Sequence, residues 1–203
     1  MKLKIVIVNI AGMADVLSEP QRFCSEGRLL SAARFANDEK RLQSYAAELA
    51  LSYAASGFKL LPPVYSYAEN GRPILEDGFV SLAHTSGFAA AALFPAPVGI
   101  DIELVRHVSP HIARRVLSPA EEALFKRDEN PLYLLEKFVN KEAFLKMTGE
   151  GLGGGFRDLH DAEGLVFRQG VLSGRLNRFD GEGFICRAVT ACEPDETELI
   201  RLG

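Results

Sequence analysis

Three carboxylates and two lysines on two segments define the chemistry open to this chain. In Val98-Gly-Ile-Asp-Ile-Glu103, Asp101 and Glu103 alternate with Val98, Ile100 and Ile102. A period of two is that of a half-buried strand, so both carboxylates share one face. About forty residues on, Phe138-Val-Asn-Lys-Glu-Ala-Phe-Leu-Lys146 places Glu142 and Lys146 four apart, on one helix face. At about 100° per residue, Leu135, Phe138, Val139, Glu142 and Lys146 fall within an arc of roughly 100°. Glu142 therefore lies in the apolar stripe that faces the core. A buried carboxylate without a partner is costly, so a cation is expected beside it, either Lys146 or a metal ion. An acid pair on a strand, or a Lys-Glu step in a helix, is by itself usually a solvated face. Together they make a set suited to magnesium and a polyphosphate.

On these residues the sequence resembles the Sfp-type 4′-phosphopantetheinyl transferases. The two segments are similar to that family's signatures, (V/I)-G-(I/V)-D-(I/V)-E and W-x-x-K-E-A-x-x-K, at the family's usual separation. Upstream, Gly71-Arg-Pro73 resembles its G-K/R-P element and Leu82-Ala-His-Thr-Ser86 its N-x-S-H-S element. Arg41, which follows Arg34-Phe35 and an acidic turn, is a fourth, weaker match. Phe138 stands where the family has tryptophan, and Ala83 and Thr85 replace the serines beside the histidine. Phe138 keeps an aromatic wedge. Ala83 removes a hydroxyl that could contact a phosphate.

The resemblance implies transfer of the 4′-phosphopantetheine arm of coenzyme A to a serine of an acyl or peptidyl carrier protein. Such transfer relies on positioning and charge neutralisation. The resemblance assigns Mg2+ to Asp101 and Glu142, with Glu103 as third ligand. Glu142 also serves as base toward the serine, directly or through a water, and Lys146 stabilises the leaving phosphate oxygen. Arg41, Arg72, His84 and Lys141 fall to the coenzyme A phosphates. A monomer is implied. Two other readings stay open: another magnesium-dependent nucleotide or pyrophosphate enzyme, and a coenzyme A- or carrier-binding protein without chemistry. The Arg72 and His84 elements weigh against the first, and retention of Asp101, Glu142 and Lys146 against the second.

The elements that must position these residues are short and mixed. Residues 3–10 read as a buried strand and 20–36 as a short basic helix. Asn37 caps a helix over 38–55 that Gly57 ends. Strands at 79–83 and 88–94 flank the His84 loop. Ser109-Pro110, Ser118-Pro119 and Asn130-Pro131 start helices, the last running to about Met147. Residues 164–169, 171–177 and 183–192 read as antiparallel strands, and 193–198 as a fraying acidic tail. Gly153-Gly-Gly155 follows a helix and lacks a succeeding Gly-Lys-Ser/Thr, so it reads as a connecting loop and not a phosphate loop. The fold class is α+β. Residues 1–96 and 97–203 form an N-terminal and a C-terminal half of about 100 residues each. The resemblance makes them pseudo-symmetric, with the active site in the cleft between.

Composition narrows the setting. The chain of 203 residues is 47% hydrophobic and 25% charged, the balance of a folded globular protein. A net charge of −4 gives no ground for binding nucleic acid or an anionic membrane. The apolar run Ile5-Val-Ile-Val8 is interrupted by Asn9 and Asp15, unlike a signal peptide. No stretch approaches the ~20 apolar residues of a membrane helix. Cys24, Cys186 and Cys192 are odd in number and form no C-x-x-C, which argues for a reducing, cytoplasmic setting. For an acidic carrier, Arg114, Arg115, Lys126 and Arg127 are the local basic candidates.

Overall fold

The computed structural model describes residues 1–57, 60–67, 73–76, 78–128, 130–151 and 155–203. The chain divides into two compact units, Met1–Pro97 with Pro194–Gly203, and Val98–Glu193.

The first unit begins with β1 (Lys2–Asn9), whose β-branched run Ile5 to Val8 suits a strand buried along its length. Two short helices follow, α1 (Ala14–Leu17) and α2 (Glu26–Ala32). The sequence suggests one helix over 20–36, but the chain breaks before Ser25. There the Ser25 hydroxyl caps α2 and donates to the fully buried Glu48 (2.8 Å). Glu48 belongs to α3 (Asp38–Ser56), which starts where the Asn37 side chain accepts from Glu39 N–H (2.7 Å). Gly57, at φ 68°, ends it. Strands β2 (Ser66–Tyr67), β3 (Pro73–Leu75), β4 (Gly78–Thr85) and β5 (Phe88–Phe94) follow. Ala89 and Ala91 of β5 pack with Ala46, Leu49, Ala50 and Ala54 of α3 in the unit's core.

The second unit opens with β6 (Val98–Leu104) and continues through α4 (Ala113–Val116), α5 (Pro119–Asp128) and α6 (Pro131–Thr148). Its strands β7 (Leu159–Ala162), β8 (Leu165–Arg168), β9 (Val171–Arg178) and β10 (Phe184–Thr190) form an antiparallel sheet in the order β6-β10-β9-β8-β7. Helix α6 lies across β6 and β10. It starts at Asn130, whose side chain accepts from Leu132 N–H (3.0 Å), and ends at left-handed Gly149. Leu134, Leu135, Val139 and Ala143 give it a buried face.

The C-terminal segment also departs from expectation. The acidic tail does not fray: β11 (Glu196–Leu202) pairs in parallel with β1. The first sheet is therefore ordered β11-β1-β5-β4-β3-β2, and the last ten residues belong to the first unit. Among the described residues, no helix is long and apolar enough to cross a membrane.

Candidate active site

The site in the second unit is built on one glycine. Along β6, Gly99, Asp101 and Glu103 point to one face, and the buried Val98, Ile100 and Ile102 to the other. A Cβ on Gly99 would lie 2.0 Å from Ala143 O and 2.3 Å from Met147 N. The backbone of α6 therefore rests on β6 at Gly99, a closeness that only a residue without a side chain permits.

That contact lays the residues flanking Ala143 over the strand's acids. Lys146 Nζ donates to Asp101 Oδ1 at 2.6 Å. Asp101 and Glu142 are only 7% and 9% exposed. Burial, first, and then the neighbouring charge of Asp101 push the Glu142 carboxyl up to about 7; Lys146 opposes the shift and Glu103 adds to it. Glu103 also pairs with Arg106 at 3.7 Å. Three acids thus sense one another, with Lys146 as the cation among them. A carboxyl that titrates near neutrality can accept a proton at physiological pH.

The cluster also bears on metal binding. Among the described residues, no three His, Cys, Asp or Glu side chains form a ready metal cage. Magnesium does not need one: it binds through one or two carboxylates and completes its shell with water and substrate phosphates. Asp101 and Glu142, buried and mutually repelling, fit that donor set.

The other expected site residues lie elsewhere. Arg41 stands in the first turn of α3, paired with Asp38. Exposed His84 is near the end of β4. Ser86 Oγ donates to Glu39 Oε1 (2.6 Å) and so ties the β4–β5 turn to the first turn of α3. The elements carrying Arg41 and His84 are thereby held together in the first unit. Arg72 lies outside the described residues, as do Gly153 and Gly154.

Lys141 points away from the acids. Consecutive helical residues point about 100° apart, and Lys141 is turned into the protein, 1% exposed. Its Nζ reaches Glu121 Oε2 (2.5 Å) and Val116 O (2.9 Å). Burial opposes the charge on Glu121, but Lys141, the Ser118 amide and Lys137 outweigh it and hold its carboxyl below the ordinary range.

Sequence reasoning also missed a small apolar cavity. It measures about 190 Å3 and is lined by Ile112, Arg115, Val116, Phe138, Phe156 and Glu142. Phe138 stacks on Phe156 with centroids 5.9 Å apart, so the aromatic at position 138 forms a wall beside the Glu142 carboxyl. Among the basic residues, Arg114 and Lys126 both face Glu122, at 3.8 and 3.1 Å, joined by Arg157 at 3.4 Å.

The family comparison covers the same two segments. Residues 97–196 match the family described as the 4′-phosphopantetheinyl transferase superfamily. The 4′-phosphopantetheinyl transferase Sfp of Bacillus subtilis (strain 168) is 34% identical over 94 residues, 43% of this chain and 42% of that protein. Another Bacillus subtilis 4′-phosphopantetheinyl transferase is 27% identical over 149 residues, 69% of this chain and 63% of that one. A holo-[acyl-carrier-protein] synthase of Shewanella oneidensis MR-1 is 36% identical over 73 residues, 31% of this chain and 58% of that protein. The chain thus spans about two-fifths to three-fifths of the length of these relatives.

Proposed function

From the match of residues 97–196 to the 4′-phosphopantetheinyl transferase superfamily we propose that the chain belongs to that superfamily and transfers the 4′-phosphopantetheine arm of coenzyme A to a serine of an apo acyl or peptidyl carrier protein. The observation that carries this reading is the crossing at Gly99, which sets Lys146 on Asp101 (2.6 Å) and buries Glu142 beside them.

The serine oxygen forms a bond to the β-phosphorus of coenzyme A, and the bond to the bridging pyrophosphate oxygen breaks. The products are the holo carrier and adenosine 3′,5′-bisphosphate. The serine proton passes to Glu142, directly or through a water; a carboxyl near 7 is matched to that task at neutral pH. Lys146, a third exposed and so able to reach outward, donates to the leaving phosphate oxygen. Asp101 and Glu142 are the residues that would hold Mg2+, with Glu103 in a third position. When bound, the ion neutralises charge on the pyrophosphate. Arg41, Arg72 and His84 are assigned to the phosphates of coenzyme A, which favour several cations around one ligand. The cytoplasm is the proposed setting, consistent with three free cysteines.

Intact-protein mass spectrometry tests the reading. An apo acyl carrier protein incubated with this protein, coenzyme A and magnesium should gain the mass of one phosphopantetheine arm, and EDTA should suppress the gain. A folded sample that binds coenzyme A yet modifies neither acyl nor peptidyl carriers would refute it.

A further inference from the structure

We propose that the buried Lys141–Glu121 pair is a positioning clamp that fixes one wall of the cavity at Glu142, so that Lys141 serves the reaction through this clamp and not by touching a phosphate of coenzyme A. The inference rests on the transfer activity proposed above.

Lys141 and Glu142 are consecutive on α6, yet they point to different surroundings. Glu142 lines the cavity, while the Lys141 ammonium is buried on Glu121 Oε2 (2.5 Å) and Val116 O (2.9 Å). Glu121 in turn accepts the Ser118 amide (2.8 Å), and Ser118 Oγ accepts the Glu121 amide (3.3 Å). This reciprocal capping box starts α5. Lys137, 3.6 Å from Glu121 Oε1 and 3.0 Å from Asp161 Oδ1, closes the network.

The carbonyl of Val116 is therefore held by Lys141 of α6, and the amide of Ser118, on the other side of Leu117, by Glu121 of α5, which Lys141 pairs with. Helix α4 and the residue before it give the cavity Ile112, Arg115 and Val116. Helix α6 thus carries a reacting carboxylate on one face and, on the next, the anchor of the wall beside it. The separation between Glu142 and that wall is set by Lys141. A reacting group placed even ~1 Å off its productive position loses on the order of 100-fold in rate, so a clamp of this kind governs turnover without contacting the substrate.

The test compares Lys141→Met, Glu121→Gln and the double variant with wild type. It reads melting temperature, the coenzyme A dissociation constant by calorimetry, and kcat for carrier modification. Lys141→Met should lower kcat about tenfold or more, Glu121→Gln, which keeps the tether to Val116, should lower it less, and both should leave coenzyme A binding within about twofold. The double variant buries no charge without its partner and keeps a Gln that can still cap α5, so it should regain most of the melting temperature. It should not regain kcat, because the tether to Val116 is gone. A Lys141→Met protein that binds coenzyme A tenfold more weakly but keeps its kcat would make Lys141 a phosphate contact and overturn the clamp. So would a double variant that recovers kcat together with stability. An inactive but folded wild type would sink the transfer reading and the clamp with it; either of the other two results on an active wild type sinks the clamp alone.

Discussion

Gly99→Ala is the smallest change that separates the strand from its helix. The added Cβ would sit 2.0 Å from Ala143 O, 2.3 Å from Met147 N and 2.9 Å from the Lys146 carbonyl carbon. All three are backbone atoms, so no side-chain rotation relieves the clash. Bringing the closest contact from 2.0 Å to a bare 3.0 Å requires α6 to recede by about 1 Å. Carried along rigidly, the Lys146–Asp101 contact of 2.6 Å would open to about 3.6 Å, beyond hydrogen-bond range. Overpacking of this kind costs about 1–3 kcal/mol of stability, and a ~1 Å displacement of reacting groups costs on the order of 100-fold in rate. The expected outcome is a folded protein with a lowered melting temperature and a turnover reduced about 100-fold. Thermal unfolding by circular dichroism and initial rates of carrier modification at saturating substrates measure both. Gly27→Ala in α2, where an added Cβ meets nothing within 4 Å, is the control; in a helix it should be neutral or stabilise by up to about 1 kcal/mol. A Gly99→Ala protein with wild-type turnover would refute the claim that the close crossing positions Glu142 and Lys146.

Three further outcomes follow from particular contacts. Glu142 has a folded pKa of about 7 against an ordinary 4.5, so its contribution is complete below pH 4.5 and lost as pH rises through 7. That difference is worth about 3 kcal/mol, and urea unfolding in EDTA should show wild type losing about that much relative to Glu142→Gln between pH 4.5 and 8; a constant gap would exclude a raised Glu142. Arg114→Glu with Arg115→Glu should raise the carrier KM several-fold and spare coenzyme A affinity, and steady-state kinetics with unchanged carrier KM would rule out this docking face. Removing residues 194–203 deletes β11 and leaves β1 without its parallel partner, so the truncated protein should unfold at a melting temperature several degrees lower; equal melting curves would mean that β11 adds nothing to the first unit.

The residues of the second unit's cluster were legible because their signals are local. Asp101 and Glu103 show as a period of two, and Glu142 and Lys146 as a four-residue step in an apolar stripe. Asn37, Ser118 and Asn130 announce helix starts because the capping bond spans two or three residues. The surroundings of Lys141 are not legible, for the complementary reason. Its helical periodicity says only that it points away from Glu142, and its partner Glu121 lies twenty residues upstream on another helix. Gly99 is a letter in a motif until the Cβ it lacks is built and found to strike α6.

The tail is the instructive intermediate case, since its signal was present and outweighed. Glu196-Thr-Glu-Leu-Ile-Arg-Leu202 looks like a solvated acidic end when read for charge alone. Read for alternation, Ile200 and Leu202 fall on one face, and both pack against the first unit's core. Its acids also match the basic residues that open β1: Lys2 meets Glu196 and Glu198, each at 3.1 Å, and the N-terminal amine meets Asp195. Exposed pairs of this kind add little stability. They favour one register, in which Lys2 stands opposite Glu196 and Ile5 opposite Leu199, while the burial of Ile200 and Leu202 supplies the driving force. A charge-rich terminal segment is therefore no evidence of disorder when a β-periodic apolar pair runs through it and a strand of opposite charge begins the chain.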